Sequence, residues 1–239
     1  MAMDERKKVA LVTGGSSGMG LAISRKLKQL GMEVIIWDLQ SPPEAFPYFQ
    51  VDIRNDAQIQ AALSRMPQVD ILVNNAGVYF EKYLEDTTND EIDRMVDVNI
   101  KGTYLVTRNV FPRIRESRGS IVIIASCLGL VPELTSPLYC ATKAGLIMLT
   151  KCLAQQYADL GIRVNCVLPG PIDTPLLQRS FPDAAAERRC AKRIPLKRIG
   201  RPEEVANMVA FLASGDAAYI TGGAFPVDGG VSSTSMYSK

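Results

Sequence analysis

Val9-Ala-Leu-Val-Thr-Gly-Gly-Ser-Ser-Gly-Met-Gly20 is the stretch of sequence that determines the fold. Its first half is an apolar run typical of a buried strand, and its second half is a glycine-rich turn that leads into a helical pattern. Glycines at such a turn let backbone N–H groups approach a pyrophosphate at the positive end of a helix. The stretch therefore predicts a dinucleotide site after the first strand, although a tight strand-helix connection alone would use the same residues.

Short apolar runs and longer helical patterns alternate along the rest of the chain. The sequence predicts strands over residues 8–13, 33–38, 48–51, 70–74, 120–126, 163–168 and 224–227. It predicts helices over residues 20–30, 56–66, 89–116, 138–160 and 202–212, with a capping box from Thr88 to Glu91. Strands alternating with helices indicate right-handed crossovers and parallel pairing. We therefore expect a single-domain α/β fold over residues 1–239, Rossmann-like and doubly wound, with a mainly parallel seven-stranded sheet and helices on both faces.

Two segments depart from the alternation. Residues 40–48 are proline-rich and too short for a full crossover helix, so we expect a trimmed connection there. Residues 170–195 form a long excursion with a helical middle, and such excursions on the ligand side of an α/β sheet are often lids. A substrate lid is therefore predicted at about residues 170–195.

Composition excludes several classes of function. The formal net charge of +2 gives no reason to expect a nucleic-acid partner, although Lys and Arg cluster in residues 187–201, where a solvated face or an acidic carrier would suit them. No apolar stretch approaches the ~18 residues of a membrane span, and no signal sequence is visible, so a cytoplasmic protein is expected. Histidine is absent, which excludes Ser-His-Asp and Cys-His catalysis and His-ligated zinc within one chain. No metal site is expected.

The five cysteines are odd in number and widely spaced, which suits neither a disulfide framework nor a metal knuckle. We expect reduced, buried side chains. Cys127 and Cys140 adjoin Ser126 and Tyr139, so oxidation sensitivity there is left open.

Tyr139 and Lys143 are the candidate proton-transfer pair. They lie four residues apart on a predicted helix, which places their side chains on one face. At an effective dielectric of ~20, a positive charge ~4 Å away stabilises a phenolate by about 4 kcal/mol. This is about three pKa units, enough to lower a tyrosine from ~10 toward ~7. The sequence thus predicts a phenol that exchanges protons at working pH.

Asp38 ends the second predicted strand, eighteen residues after Gly20. A carboxylate there accepts hydrogen bonds from the adenosine ribose and repels a 2′-phosphate. The sequence therefore predicts NAD(H) as cofactor, against the alternative of a surface aspartate.

Together these motifs resemble the ordered set of the short-chain dehydrogenase/reductases, classical type. The resemblance covers essentially the whole chain and is carried by Thr13-Gly14-x-x-x-Gly18-x-Gly20, Asn74-Asn-Ala-Gly77, Asn99, Ser126, Tyr139-x-x-x-Lys143 and Pro169-Gly170. It implies oxidation or reduction at a secondary alcohol or ketone with a nicotinamide cofactor.

The resemblance also implies a role for each matching residue. Tyr139 would be the general acid/base, Lys143 would lower its pKa, Ser126 would bind the substrate oxygen, and Asn99, at a helix irregularity, would relay protons to Lys143. The cofactor would contact Gly14, Ser16, Ser17, Gly18, Met19, Gly20, Asp38, Asp52, Ile53, Asn75, Gly77, Tyr139, Lys143, Pro169, Ile172 and Thr174. The substrate pocket would be formed by Ser126, Leu128, Val131, Leu134, Tyr139, Leu176, Leu177 and Phe181.

The substrate stays open between several classes. The pocket residues favour a small or medium, apolar or cyclic secondary alcohol or ketone. A dihydrodiol such as 2,3-dihydro-2,3-dihydroxybenzoate and a 3-oxoacyl thioester are alternatives. A catalytically silent NAD-sensing protein is the alternative from outside enzymology, and the intact Ser126, Tyr139 and Lys143 argue against it. The resemblance further implies a homotetramer or homodimer, of which we expect the tetramer.

Overall fold

The computed structural model describes residues 6–66 and 68–233, so positions 1–5, 67 and 234–239 of the predicted domain lie outside the described residues. Seven strands form one sheet in the order β3-β2-β1-β4-β5-β6-β7. The strands are β1 (Val9–Thr13), β2 (Glu33–Asp38), β3 (Tyr48–Gln50), β4 (Ile71–Asn74), β5 (Ser120–Ile124), β6 (Arg163–Pro169) and β7 (Ala224–Val227). Every neighbouring pair runs parallel, which confirms the predicted doubly wound sheet.

The α-helices fill both faces of this sheet. They are α1 (Gly18–Gln29), α2 (Asp56–Ser64), α3 (Asn89–Val96), α4 (Thr103–Ser117), α5 (Pro137–Tyr157), α6 (Pro175–Gln178), α7 (Ala184–Arg193) and α8 (Pro202–Ala213). One apolar core joins the sheet to α2, α4 and α5, and a second joins the opposite face to α1 and α8. Because the strands are parallel, all their carboxyl ends meet at one edge, where ligands bind in open α/β sheets.

A π-helical segment, Asp97–Gly102, interrupts the helix predicted over residues 89–116. It separates α3 from α4 and buries Asn99 at 1% exposure. The hydroxyl of Thr103 donates to the carbonyl oxygen of Asn99 over 2.9 Å, which is one way a side chain satisfies a carbonyl freed by such a distortion. The irregularity at Asn99 implied by the family resemblance is confirmed.

The trimmed connection over residues 40–48 and the helical middle of the excursion after β6 are both present, while the role of that excursion as a substrate lid stays a prediction. Residues 40–48 contain no helix, and Arg25 and Lys28 of α1 fasten the connection by bonds to Glu44 and to the carbonyl oxygen of Ala45. The excursion after β6 carries two short helices, α6 and α7. β5 ends two residues earlier than predicted, because Ser126 turns the chain by accepting a hydrogen bond from the backbone of Leu128.

Within the described residues, no helix combines the length and the apolar character needed to cross a membrane.

Candidate active site

The glycine turn between β1 and α1 is held in a shape that side chains would block. Gly14 and Gly18 adopt positive φ angles of 64° and 50°. A Cβ added to Gly20 would lie 2.0 Å from the carbonyl oxygen of Gly14, so only glycine fits there. A ligand can therefore approach the backbone of this turn, residues 14–20, closely; we call the turn the glycine cradle.

The turn after β4 fixes this cradle in place. The amide of Asn75 donates to the carbonyl oxygens of Thr13 and Gly14 at 3.0 and 2.9 Å. The hydroxyl of Thr13 accepts from the backbone N–H groups of Asn75 and Ala76 at 3.0 and 3.1 Å. The side chain of Asn75 therefore supports the turn, and the contact of Asn75 with the cofactor stays a prediction. Its backbone and Gly77 are the groups left to meet a cofactor.

The N-terminus of α1 completes a site suited to a pyrophosphate. Ser17 precedes the helix with an extended backbone, and among the described residues no side chain caps the first turn. A Cβ at Gly18 would lie 3.3 Å from the side chain of Thr174, so the loop after β6 passes directly over the turn. Free backbone N–H groups at a helix N-terminus favour anions, and the residues present fit the pyrophosphate of a dinucleotide.

Asp38 lies beside the same turn at the end of β2. Its carboxylate accepts from the backbone of Ser16 at 2.9 Å and of Gln40 at 3.2 Å. A carboxylate has about four acceptor positions, so capacity remains for ribose hydroxyls. The backbone N–H of Ser16 is occupied by Asp38 and the Ser16 hydroxyl donates to the carbonyl oxygen of Gln40 over 2.6 Å, and the contact of Ser16 with the cofactor stays a prediction.

The side chains of Asp52 and Ile53 have partners within the protein, and their contact with an adenine stays a prediction. The guanidinium of Arg54 donates to the carboxylate of Asp52 over 2.6 Å, and this hydrogen bond lowers the pKa of that carboxyl. Ile53 is 7% exposed and packs against Gly102 of the π-helical segment. The side chain of Ile53 therefore belongs to the core, which leaves the backbone of these residues to border an adenine.

Ser126, Tyr139 and Lys143 meet at the carboxyl edge of the sheet. Ser126 follows β5, and α5 carries the other two on one face. Ser126 and Tyr139 share a side-chain hydrogen bond. The Nζ atom of Lys143 lies 5.4 Å from the centroid of the Tyr139 ring and donates to the carbonyl oxygen of Ile124 over 3.0 Å. The structure therefore brings the predicted catalytic residues together.

The predicted pKa of Tyr139 is wrong in direction. Burial raises the pKa of this phenol well above its ordinary value, although the hydrogen bond with Ser126 acts the other way. Tyr139 keeps part of its surface accessible, yet desolvation of its hydroxyl dominates. The ammonium of Lys143 lies over the ring and bonds to a carbonyl, and burial lowers the pKa of Lys143 from 10.5 to about 8. Tyr139 is therefore a neutral proton donor in this structure.

Asn99 connects the π-helical segment to the chain after β4. Its amide accepts from the backbone N–H of Val78 at 2.9 Å and donates to the carbonyl oxygen of Val78 at 3.0 Å and the hydroxyl of Thr142 at 3.3 Å. A Cβ at Gly77 would lie 3.3 Å from Oδ1 of Asn99 and 3.7 Å from Nζ of Lys143. Asn99 is thus close to Lys143, but its side chain is used to hold Val78. A proton relay through Asn99 stays a prediction.

Comparison with known proteins agrees with this geometry. The profile of the family described as Enoyl-(Acyl carrier protein) reductase matches residues 14–232. A 3-oxoacyl-[acyl-carrier-protein] reductase of Thermotoga maritima is 36% identical, over 94% of this chain and 97% of that protein. A (3R)-3-hydroxyacyl-CoA dehydrogenase of Mus musculus is 37% identical, over 95% and 96%. The ligand-free structure of an aldohexose dehydrogenase from Thermoplasma acidophilum superposes with a TM-score of 0.93 at 35% identity, covering 98% of this chain and 97% of that one.

The chain belongs to the short-chain dehydrogenase/reductase family, classical type. Members of this family are oxidoreductases that bind a nicotinamide cofactor, which is the chemistry the motifs implied.

Tyr79 is the residue of this short-chain dehydrogenase that sequence reasoning missed. Its ring meets the ring of Tyr139 edge to face, with centroids 4.8 Å apart and planes at 75°. Burial raises the pKa of the Tyr79 phenol above its ordinary value. Its position two residues beyond Asn74-Asn-Ala-Gly77, directly after the end of β4, was the available signal.

The predicted substrate pocket of this short-chain dehydrogenase is only partly enclosed. Leu128, Val131, Leu177 and Phe181 are partly buried, whereas Leu134 and Leu176 are 77% and 41% exposed. A cavity of about 550 Å³ lies instead beside the ends of β6 and β7. It is lined by Pro171, Ile172, Ile194, Pro195, Leu196, Arg198, Gly200, Glu204, Pro226, Val227, Asp228, Gly229, Gly230 and Ser233. Ile172, predicted to touch the cofactor, is buried at 4% exposure and forms part of this wall.

The two cysteines next to the catalytic residues differ in exposure. Burial, together with the charge of Asp228, raises the pKa of the Cys127 thiol to about 12. At neutral pH Cys127 is therefore a thiol, and the thiolate is the form that is oxidised. The suggested oxidation sensitivity is thus not supported for Cys127. Cys140 is partly buried, and its oxidation stays untested.

Proposed function

We propose that this short-chain dehydrogenase is an NAD(H)-dependent oxidoreductase that transfers a hydride between nicotinamide and a secondary alcohol or ketone. The observation that carries the proposal is the meeting of Ser126, Tyr139 and Lys143 at the sheet edge that also presents the glycine cradle. Bound nicotinamide would supply the hydride donor or acceptor.

Each residue has a defined part in this chemistry. The neutral phenol of Tyr139 donates its proton to a carbonyl oxygen during reduction, for which a raised pKa is suitable. Ser126 donates a second hydrogen bond to that oxygen as negative charge develops on it. Lys143, with its ammonium over the ring of Tyr139, stabilises the phenolate that remains. Oxidation of an alcohol reverses these steps.

The preference for NAD(H) is supported by Asp38. Its carboxylate lies at the glycine turn, where it would face the 2′-phosphate of NADP(H). The sequence contains no Lys or Arg between residues 34 and 53 that would offset this repulsion.

The substrate proposed for this site is a small to medium, apolar or cyclic secondary alcohol or ketone. The partly buried Leu128, Val131, Leu177 and Phe181 support it. A second candidate is reduction of a 3-oxoacyl thioester, which two relatives favour, since one is named for 3-oxoacyl carrier reduction and the other for 3-hydroxyacyl-CoA oxidation. A dihydrodiol is a further cyclic candidate.

The assembly proposed is a homotetramer, since enzymes of this family typically oligomerise. The cytoplasmic location stays a prediction from the sequence.

Substitution of Tyr139 by Phe tests the catalytic proposal. Tyr139→Phe removes the proton donor and retains the ring, so we expect turnover of secondary alcohols and ketones to fall at least ~100-fold. NADH absorbance measures turnover, and fluorescence titration shows that NADH still binds. An enzyme with undiminished turnover of every substrate would contradict the mechanism. A wild-type protein that binds NADH and turns over no alcohol or ketone would be the NAD-sensing alternative.

A further inference from the structure

Tyr79 and Glu81 form a pair at the side of the catalytic tyrosine. The ring of Tyr79 contacts Tyr139 edge to face, and its hydroxyl donates to Oε1 of Glu81 over 2.8 Å. The hydroxyl of Ser136 in turn donates to that of Tyr79 over 3.3 Å. Tyr79 therefore has its proton and one acceptor position occupied, and it connects the carboxylate of Glu81 to the ring of Tyr139 through a hydrogen bond and an aromatic contact.

Glu81 keeps unused capacity to accept hydrogen bonds. Its side chain is exposed, and within residues 6–66 and 68–233 it forms no ion pair, while the neighbouring Lys82 is paired with Glu91. The bond from Tyr79 uses one of about four acceptor positions of a carboxylate. The remaining positions suit hydroxyl groups, which a carboxylate binds more strongly than a neutral acceptor does.

A second carboxylate lies on the same side. The backbone N–H of Lys82 donates to the carbonyl oxygen of Thr135 over 2.7 Å, which joins the segment after β4 to the segment before α5. The charges of Glu81 and Glu133 both act on the hydroxyl of Tyr79 and on the thiol of Cys190 in α7. α7 therefore lies close to both carboxylates, at the side of the site where the lid was predicted.

The charges at this side have both signs. Around Cys190 they include the carboxylates of Glu81, Glu133 and Glu187 and the guanidinium of Arg193. The remaining basic residues of α7 are Arg188, Arg189 and Lys192. Net charge therefore does not decide for or against an anionic substrate here, whereas the acceptor positions of Glu81 favour hydroxyl groups.

We infer that the Tyr79–Glu81 pair selects polyhydroxylated substrates, such as cyclic polyols and aldoses, because Glu81 accepts a hydrogen bond from a hydroxyl other than the one that reacts. This inference rests on the proposed function, because it names the substrate class of that same site. It differs from the apolar substrate expected from the sequence. It also ranks the thioester candidate below a polyol, since a simple 3-hydroxyacyl thioester has no second hydroxyl next to its reacting carbon.

The test uses four alcohols and NAD+ as oxidant. Cyclohexanol offers one hydroxyl, cyclohexane-1,2-diol and glucose offer more, and 3-hydroxybutyryl-CoA has no second hydroxyl next to its reacting carbon. We expect the wild-type kcat/KM for the diol or glucose to exceed that for cyclohexanol at least ~10-fold, because one hydrogen bond to a charged group contributes about this factor. For 3-hydroxybutyryl-CoA we expect a value below that for the diol.

Glu81→Gln is the informative variant, because Gln keeps an oxygen for the Tyr79 hydroxyl and removes the charge. It should lower the ratio of kcat/KM for the diol or glucose to kcat/KM for cyclohexanol about tenfold, through a higher KM for the polyol. Tyr79→Phe, which releases Glu81, should reduce the polyol preference in the same direction. Glu116→Gln, at an exposed position near the end of α4, is the matched control and should match wild type on every substrate.

The outcomes separate this inference from the proposed function. Turnover of cyclohexanol or the thioester with no preference for polyols, or a Glu81→Gln enzyme identical to wild type on all substrates, would overturn the inference and leave the oxidoreductase proposal standing. No NAD-dependent turnover of any alcohol or of the matching ketones would overturn both. Unfolding curves of the Glu81→Gln protein show whether a loss reflects folding.

Discussion

Burial of Lys143 makes the stability of this protein dependent on pH. The side chain is 4% exposed, and burial lowers the pKa of Lys143 from 10.5 to about 8. Between pH 8 and 10.5 the unfolded chain therefore binds more protons than the folded chain, so stability rises with pH across this window. Below pH 8 the cost of burying the charge is fully present. Lys143, which the proposed reaction requires, thus destabilises the fold at neutral pH.

Lys143→Met should accordingly stabilise the protein while abolishing turnover. At pH 7 we expect a gain of about 2 kcal/mol in unfolding free energy, since a shift of this size is worth about 3 kcal/mol and the lost bond to Ile124 about 1 kcal/mol. The gain should vanish by pH 10, where wild-type Lys143 is mostly neutral. Urea unfolding of both proteins at the two pH values measures it. A difference that is the same at pH 7 and pH 10 would contradict the role of the buried charge.

Asp38 should determine the choice of dinucleotide. A carboxylate ~4 Å from a dianionic phosphate in water costs about 2 kcal/mol, which corresponds to about thirtyfold in affinity. We expect NADH to bind about that much more tightly than NADPH, and Asp38→Asn to narrow the difference, as measured by fluorescence titration. Asp216→Asn, at an exposed site, is the control. A wild-type Kd for NADPH at or below that for NADH would refute this assignment.

The residue types of the site were predictable, but their electrostatics were not. The spacing of Tyr139 and Lys143 correctly placed them on one helix face. The direction of the pKa shift of Tyr139 was wrong, because desolvation and the bond from Lys143 to the carbonyl of Ile124 depend on strands distant in sequence. Tyr79 was missed for a similar reason, since its contact with Tyr139 joins two segments sixty residues apart.

Among the elements, those with strong local signals were predicted best. The bounds of β2 and β7 match the sequence prediction, and the helix-capping box at Thr88 and Glu91 is present as expected. Periodicity alone gave one continuous helix over residues 89–116, because an apolar pattern does not register the extra residue of a π turn. Its location at Asn99 came from the family resemblance and was confirmed.

The β1–α1 turn should tolerate no side chain at Gly20. Alanine normally favours a helix over glycine by about 1 kcal/mol, but here its Cβ would collide with the carbonyl oxygen of Gly14. We expect Gly20→Ala to lower stability by about 1–3 kcal/mol and NADH affinity at least ~10-fold, because the backbone of the turn must move to make room for the added Cβ. Thermal unfolding and NADH titration measure the two effects.

Gly215→Ala is the matched control for this substitution. No atom lies within 4 Å of a Cβ built there, so its stability and NADH affinity should stay at wild-type values. A Gly20→Ala protein that binds NADH as tightly as the Gly215→Ala protein would show that the turn does not hold the cofactor.

At the scale of the whole molecule, the parallel sheet concentrates the functional groups at one edge. The glycine turn after β1, Asp38 after β2, the Asn74-Asn-Ala-Gly77 turn after β4 and Ser126 after β5 all follow carboxyl ends of strands. The two apolar cores fix these strands from both faces, so the sheet positions the turns that carry the site residues, and hydrogen bonds such as those from Asn75 to Thr13 and Gly14 join the turns to one another. The outer surfaces of the long helices are left free for contacts between copies.

In the proposed homotetramer, the exposed apolar side chains of α4 and α5 should be buried between copies. Tyr104 of α4 and Met148 of α5 are 54% and 58% exposed, although both are large apolar side chains. Stable interfaces bury about 800 Å² per partner around such residues, and an unpaired charge there is costly.

Light scattering should therefore give four copies of the 26.1 kDa chain for wild type and a smaller assembly for Met148→Glu. Leu30→Glu, at the equally exposed end of α1, should leave the tetramer intact. A monomeric wild-type protein at assay concentration would refute the tetramer, and a tetrameric Met148→Glu protein would place its interface elsewhere.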